Sequence, residues 1–267
     1  MAIYDCFQYF NEDHMVDLRL NILDKHVDYF VISESTKTHQ GKHKKLQFNI
    51  NNFQKFKSKI KYIIADYKAD KDFEHHTGGE SLIEKHQRNS LYQGISNASS
   101  DDLIMLSDCD EIPDLTKISQ IKSHSKFIAF SQMMFMYKLN FKNLQESNWI
   151  GSKITHKKNI TDMQSLRDLK FKDYPFWRID KRHFQIIKGG WHFSFLQTPE
   201  DIARKIKSFS HGEFNTNSNV DISNIEKKIS KGLDVLNRGF DLKKINIDES
   251  YPEYIRNNKK IFNKWIV

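Results

Sequence analysis

Short apolar runs, rich in β-branched and aromatic residues, recur along the chain and constrain its fold more than any other feature. Such runs predict buried strands. Helical patterns at about 12–26 and about 80–97 lie between early runs, and strands that alternate with helices predict βαβ units with a parallel core. The runs are IYDCF (3–7), DYFVISES (28–35), KYIIAD (61–66), DLIMLSD (102–108), FIAFSQMMFMYKLNF (127–141) and HFQIIKGGWHFSFL (183–196). We therefore predict an α/β fold.

The fifth run breaks this alternation. It is long, and the stretch after it is rich in Asn and Lys and is typical of a loop. We expect this run to form a later, antiparallel part of a mixed, mostly parallel sheet flanked by helices.

The C-terminal third carries signals for helix starts. TPED (198–201) places Thr198 as an N-cap before a proline, and SNIE (223–226) is a capping-box pattern. A stripe of Ile225, Ile229, Leu233 and Leu236 then predicts a helix that ends near Gly239. No repeat and no Pro/Gly-rich boundary interrupts the chain, so we expect one domain over residues 1–267 with a helical C-terminal region.

Composition narrows the class of protein. The chain has 267 residues, a formal net charge of +8 and two cysteines, Cys6 and Cys109, too few for a zinc signature or a disulfide framework. It has no run of 18 apolar residues, and its start lacks the basic flank and apolar core of a signal peptide. The expected location is cytoplasmic, with peripheral contact to a membrane-bound acceptor as a further option.

The stretch LSDCDEIPD (106–114) gathers four acids where the fourth apolar run ends. In open α/β sheets, ligands bind beyond the carboxyl ends of the strands. If the backbone stays extended, Asp108 and Asp110 point to one side and Cys109 points back into the protein. Two convergent carboxylates make half a site for Mg²⁺ or Mn²⁺, which substrate phosphates and waters commonly complete. The alternative is a solvated turn or a helix cap.

Two further motifs leave functional and structural interpretations open. In GGWHFSF (189–195), Trp191 offers a face for a sugar ring or base and His192 a ligand or acid/base group, or both belong to the core. In FSHGEF (209–214), His211 and Glu213 follow a helix end, where they face either a cleft or bulk solvent.

The stretch from Thr36 to Ala65 holds eight lysines and no acid. It favours contact with phosphates, or it is simply a solvated surface. With Phe48, Phe53 and Phe56 it suggests a nucleic-acid surface, but that hypothesis leaves the acidic stretch unexplained. A nucleotidyltransferase-like enzyme on a related sheet is a second rival, because it also places acids at a strand end.

Taken together, the ordered motifs resemble glycosyltransferase family 17. They are IYDCFQYFNE (3–12), LRLNIL (18–23), VDYFVISEST (27–36) with GK (41–42), QRN (87–89), SDCDEIP (107–113), GGWHFSF (189–195) with TPE (198–200), and SFSHGEFN (208–215). The resemblance implies a GT-A-like, Rossmann-type fold, with a nucleotide-sugar-binding half at about 1–115 and an acceptor half with C-terminal helices at about 116–267. Residues 142–175 match no motif, and acceptor specificity is expected to differ there.

The resemblance also implies an activity: inverting transfer of a sugar, GlcNAc from UDP-GlcNAc, to a glycan hydroxyl, with no nucleic acid as partner. Asp108 and Asp110 would form the D-x-D element that holds Mn²⁺ or Mg²⁺ on the donor diphosphate. Asp110 is then the expected direct ligand, and Asp108 reaches the ion or the ribose.

Other roles rest on the chemistry of single residues. Arg88 suits a bidentate diphosphate contact, or it is an exposed partner of Glu84 one helical turn away. Glu34 would accept hydrogen bonds from uracil or ribose, or it is a solvated acid at a strand end. Lys42 would assist the phosphates.

Inversion by direct displacement needs a base for the acceptor hydroxyl. The candidates are Glu213, Glu111, His192 and His211. We expect Glu213 to be the base and His192 to be a metal or diphosphate ligand.

Overall fold

A computed structural model describes residues 1–68, 82–146, 148–172, 174–175, 177–208 and 214–267, with the backbone alone at Ser208. In these residues one ten-stranded sheet is flanked by helices. The strands are β1 (Ile3–Tyr9), β2 (Tyr29–Ser35), β3 (Ile60–Ala65), β4 (Leu103–Ser107), β5 (Glu111–Pro113), β6 (Phe127–Met136), β7 (Phe141–Asn143), β8 (Trp149–His156), β9 (Phe184–Ser194) and β10 (Leu242–Lys244). The helices are α1 (Asp13–Leu23), α2 (Leu82–Ser90), α3 (Met163–Asp168), α4 (Pro199–Ser208), α5 (Asn217–Val220), α6 (Ile222–Ser230) and α7 (Glu253–Asn257).

The strand order confirms the predicted mixed α/β sheet. It runs β10-β7-β6-β8-β4-β1-β2-β3, and β9 pairs with both β5 and β6. Strands β3, β2, β1 and β4 are parallel, while β8 is antiparallel to both β4 and β6. Because β6 and β9 are parallel to each other, the carboxyl ends of β1, β2, β3, β4, β6 and β9 all lie at one edge of the sheet.

Apolar side chains project from both faces of the parallel half of the sheet. Because both faces are buried, the strands there appear in the sequence as nearly continuous apolar runs. Phe7 and Phe30 pack on one face with the apolar side of α1 and with C-terminal Trp265. Neighbouring Cys6 and Val31 point to the other face, against the segment that follows α2 and against α3. Burial on both faces requires helices on both sides, as in other α/β sheets.

Residues 142–175, which match no motif, follow the fifth run, where the sequence predicted a loop. They contain β8, which joins the two halves of the sheet, and the short helix α3. The pattern was missed because β8 begins with Trp149, Ile150, Gly151 and Ser152, which lack a clear alternation of apolar and polar residues.

The helix predicted from the stripe of Ile225, Ile229, Leu233 and Leu236 is shorter than expected. Helix α6 ends at Ser230, and Gly232 then adopts a left-handed φ of +66°. Leu233 leaves the helical path to form an isolated bridge with Asp241, and its side chain is largely exposed. The glycine ends the helix here, because it adopts this conformation without the steric cost of a Cβ.

No helix in the described ranges is both long enough and apolar enough to cross a lipid bilayer.

Arg19 connects α1, β1 and the acidic stretch. Its guanidinium is fully buried and pairs with Asp5 through two hydrogen bonds of 2.7 and 2.6 Å. It also donates to the backbone carbonyls of Asp108, Cys109 and Glu111, at 3.2, 3.3 and 2.6 Å. One side chain therefore holds the turn that follows β4.

We predict that Arg19→Met lowers the free energy of unfolding by about 3–5 kcal/mol, because it leaves the Asp5 carboxylate buried without its partner. Urea denaturation followed by circular dichroism measures the loss. Lys158→Met is the control, because the Lys158–Asp101 pair lies at the surface and should contribute nothing measurable. Equal effects of the two substitutions would contradict the role given to Arg19.

Candidate active site

A cavity of about 460 Å³ opens at the carboxyl ends of β1, β4 and β9. Its wall takes Gln8 and Tyr9 from β1, Asp108 from the end of β4, and His192 from β9. This is the edge of an open α/β sheet where ligands bind. Arg88, Asp108, Asp110 and His192, which the sequence singled out, are all brought together in this wall.

Residues 108–111 form a turn, in which the Glu111 amide donates to the Asp108 carbonyl at 3.0 Å. The prediction of an extended backbone at Asp108–Asp110 is therefore wrong. Arg19 donates hydrogen bonds to backbone carbonyls of this turn, and the Phe193 amide donates to the Asp110 carbonyl at 2.9 Å. Cys109 is buried, as predicted, while the carboxylates of Asp108 and Asp110 have different neighbours.

Asp108 lies between two arginines. Arg167 donates to its carboxylate at 2.7 Å, and an Arg88 nitrogen lies 3.8 Å away. Arg88 itself is almost completely buried and donates to Glu84 at 2.7 Å and to Gln164 at 2.5 Å. The i, i+4 pair with Glu84 is therefore present. The alternative of an exposed Arg88 is wrong, because this side chain is buried in the wall of the cavity.

Glu111 is fully buried beneath the turn, and both of its carboxylate oxygens accept hydrogen bonds. Arg167 donates to them at 2.8 and 3.1 Å, the Trp149 indole at 2.7 Å, and the Asp108 amide at 3.0 Å. Burial alone would raise the pKa of Glu111, but Arg167 outweighs it and holds that pKa below its ordinary value. In this arrangement Glu111 anchors Arg167 and Trp149.

Asp110 faces His192 and Lys205 across the cavity. Its oxygens lie 3.6 Å from His192 Nε2 and 4.0 Å from Lys205 Nζ, both longer than a hydrogen bond. Burial opposes the charge on Asp110, but these two neighbours lower its pKa well below the ordinary value. Burial also opposes the charge on His192 and by itself would lower the pKa of this imidazole. The Asp110 and Glu111 carboxylates outweigh burial and raise that pKa above its ordinary value.

The other nitrogen of His192 has an incomplete environment. Nδ1 is buried and has no hydrogen-bond partner within the part of the chain that the structure describes. The Trp149 ring lies beside the imidazole, with 4.9 Å between ring centroids. By contrast Trp191 packs in the core and donates to the Ser250 carbonyl at 2.9 Å, so the structural interpretation of Trp191 is confirmed.

Glycine at position 190 lets β9 approach β5 closely. Gly190 has a φ of +114°, and a Cβ there would lie 2.5 Å from the Ile112 carbonyl oxygen. The close approach sets the register in which Glu111 pairs with His192.

Glu34 and Lys42 lie apart from this wall. Glu34 is buried, and its carboxylate accepts hydrogen bonds from Lys44, from the amides of Gln47 and Phe48, and from the Tyr62 hydroxyl at 2.7 Å. The alternative of a solvated acid is therefore wrong, and Glu34 organises the loop after β2. Lys42 is exposed in that loop, and His39 is the loop residue that reaches the cavity wall.

His211 and Glu213 fall outside the described residues. Phe214, the next residue in the chain, lines the cavity.

Three residues of the site were missed from the sequence. Arg167 lies in a region without a recognised motif. Trp149 begins β8, a strand without a clear apolar–polar alternation, and Lys205 is a polar residue of α4. No pattern in the sequence marked them, because each is brought to the cavity by packing between distant segments. A signal did exist for Arg19, a lone charge among the leucines of LRLNIL.

The residues present fit a divalent ion shared with a diphosphate better than an ion held by protein alone. No group of three His, Cys, Asp or Glu side chains is placed to hold a metal in the described ranges. Yet the Asp110 carboxylate lines the cavity, and the nearest side-chain nitrogen among the described residues is His192 Nε2, 3.6 Å away. A site of one or two carboxylates completed by substrate phosphates is typical of Mg²⁺ and Mn²⁺.

We predict that Glu111→Gln lowers the free energy of unfolding by about 1–3 kcal/mol, because Arg167 loses the charge that balances it. Glu226→Gln is the matched control and should cost nothing measurable, because the Glu226 side chain is exposed on α6. Urea denaturation of both variants measures the difference. If Glu111→Gln abolished sugar transfer and left stability unchanged, Glu111 would instead fit the role of a base.

Comparisons with known proteins bear on this geometry. The chain is 25% identical to the beta-1,4-mannosyl-glycoprotein 4-beta-N-acetylglucosaminyltransferase of Rattus norvegicus, over 76% of this chain and 42% of that enzyme. It thus spans less than half the length of this relative.

Two solved structures align with this chain at low similarity. One is an inositol-1-phosphate CTP transferase from T. maritima, with 12% identity, a TM-score of 0.36, and coverage of 88% of this chain and 98% of that one. The other is a glycosyltransferase involved in glycosylation of the major capsid of PBCV-1, with 12% identity, a TM-score of 0.31, and coverage of 70% and 82%. The family model for glycosyltransferase family 17 matches residues 1–242, and the chain therefore belongs to glycosyltransferase family 17.

Proposed function

We propose that this protein transfers a sugar from a nucleotide-sugar donor, GlcNAc from UDP-GlcNAc, to a hydroxyl of a glycan acceptor, with inversion. One observation carries the proposal. In a chain of family 17, the carboxylates of Asp108 and Asp110 line one cavity at the carboxyl ends of parallel strands, together with the cationic side chains of Arg88, Arg167 and Lys205. The donor sugar named in the rat relative supports the choice of GlcNAc.

The donor diphosphate is best placed between the Asp108–Asp110 turn and the surrounding cations. Arg88, Arg167 and Lys205 line the same wall, and arginine suits bidentate contacts with phosphate oxygens. Asp110 would hold a divalent ion on that diphosphate, with His192 as its neighbour. When bound, such an ion supplies positive charge that stabilises the departing diphosphate.

The reaction itself needs little covalent chemistry from the protein. The acceptor oxygen forms a bond to the anomeric carbon, the bond from that carbon to the diphosphate oxygen breaks, and the hydroxyl proton passes to a base. Arg88, Arg167 and Lys205 stabilise the charge that builds on the diphosphate, in a site whose dipoles are already oriented.

Glu213 remains our choice for the base. Its motif supports this choice, and it directly precedes cavity-lining Phe214 in the sequence. Glu111 is less suited, because four hydrogen bonds already engage its carboxylate. The acceptor would enter beside Trp149, in the region 142–175 that matches no recognised motif, and the aromatic ring offers a face to a sugar.

UDP together with Mn²⁺ should raise the melting temperature of the protein by roughly 5 °C or more at saturating concentrations. Asp110→Asn should lose this shift, whereas Asp101→Asn, a change of an exposed acid, should keep it. Differential scanning fluorimetry measures both. No shift with any nucleoside diphosphate would contradict the proposed donor class. A panel of nucleotide sugars then identifies the donor, and release of pyrophosphate instead of a nucleoside diphosphate would indicate nucleotidyl transfer.

Glu213→Gln should lower the rate of sugar transfer by about 10²- to 10⁴-fold, the usual contribution of a general base, and leave the UDP–Mn²⁺ melting shift unchanged. His211→Gln is the matched comparison in the same motif. Full transfer activity in Glu213→Gln with loss of activity in His211→Gln would move the base to His211.

A further inference from the structure

The loop that joins α3 to β9 exposes large apolar side chains. We name residues 170–182, apart from positions 173 and 176, the aromatic–basic loop. Its Trp177 is 65% exposed and Ile179 is 66% exposed. The other three tryptophans of the chain are buried or partly buried, so Trp177 stands out.

The loop has a defined conformation. The Ile179 amide donates to the Trp177 carbonyl at 2.8 Å, and the Arg182 amide donates to the Ile179 carbonyl at 3.2 Å. Phe171 and Tyr174 pack on Phe184 at the start of β9, with ring centroids 5.2 and 6.2 Å apart. The exposure of Trp177 and Ile179 is therefore built into a folded turn.

Basic residues alternate with these two apolar residues along the loop. Beside the loop lies a cavity of about 320 Å³, whose wall includes Lys122, Lys172, Lys181 and Arg182. Lys122, Lys172 and Arg182 form no ion pair with the residues that the structure describes. Arg178 differs, because Asp180 neutralises it through two hydrogen bonds of 2.7 Å. The surface thus combines unpaired positive charge with an exposed indole and an exposed aliphatic side chain.

We propose that the aromatic–basic loop docks on a membrane that contains anionic lipids. Tryptophan is favoured at the membrane interface, where its ring contacts acyl chains and its N–H stays hydrated. Ile179 gains only from burial in hydrocarbon, which a nucleic-acid strand would not provide. The surrounding lysines and arginines are attracted by the negative surface potential of anionic lipids. The inference does not depend on the proposed sugar transfer.

The loop is far enough from the catalytic cavity to be tested by itself. Gln185, which borders the basic cavity, and His192 lie seven residues apart on β9, a distance of about 23 Å along the strand. Substitutions in the loop should therefore leave ligand binding at the cavity intact, and the UDP–Mn²⁺ melting shift serves as a control for folding.

The experiment is sedimentation of the full chain with phosphatidylcholine vesicles, with or without phosphatidylglycerol, together with tryptophan emission. We expect binding only to the anionic vesicles, weaker binding at high salt, and a blue shift as Trp177 enters the interface. The double variant Trp177→Ser/Ile179→Ser should bind about tenfold more weakly. Lys181→Glu/Arg182→Glu should show a similar loss.

Ile261→Ser is the matched control, because Ile261 is equally exposed, at 66%, on the C-terminal segment. It should bind as the unsubstituted chain does, and Trp177→Phe should keep binding while losing the blue shift. Equal binding by the double apolar variant, or no preference for anionic vesicles, would overturn the proposal. Binding to single-stranded RNA but not to vesicles would assign this surface to nucleic acid instead.

Discussion

The buried contact between Arg19 and the turn after β4 is the constraint on which the catalytic edge depends. A guanidinium inside a core is costly unless its nitrogens are hydrogen-bonded, and here Asp5 and three backbone carbonyls accept from all three of them. Because Arg19 lies on α1 and Asp5 on β1, the packing of that helix on that strand sets where the turn can lie. The positions of Asp108 and Asp110 are thus decided one layer below the cavity.

Above that layer, charges of opposite sign alternate around the cavity. Arg167 joins Asp108 and Glu111, while Asp110 faces His192 and Lys205. The two acids of the D-x-D pattern therefore differ: one is held by an arginine at 2.7 Å, and the other is left with longer contacts. Oriented charges of this kind stabilise a transferring group without reorganising during the reaction. The pattern of the sequence alone treats both acids alike.

Much of the fold could be predicted, because strands buried on both faces are nearly continuous apolar runs in the sequence. The six runs located six strands to within five residues at each end. The convergence of Asp108 and His192 was also predictable, since carboxyl ends of parallel strands share an edge. Glu34 also ends a parallel strand, yet it turns to its own loop, where Tyr62 and two backbone amides donate to it. The position of a residue at the end of a strand therefore does not decide which groups its side chain binds.

By itself, the sequence determined the alternation of strands and helices and the place of the acidic stretch at a strand end, because these depend on local patterns of burial and polarity. Tertiary structure alone decided that Arg167 and Lys205 complete the site, that Glu111 is locked by four hydrogen bonds, and that Asp108 and Asp110 have different partners. The contacts of Arg167 and Lys205 with these acids join residues more than fifty positions apart. Their geometry follows from how whole elements pack, which no short stretch of sequence encodes.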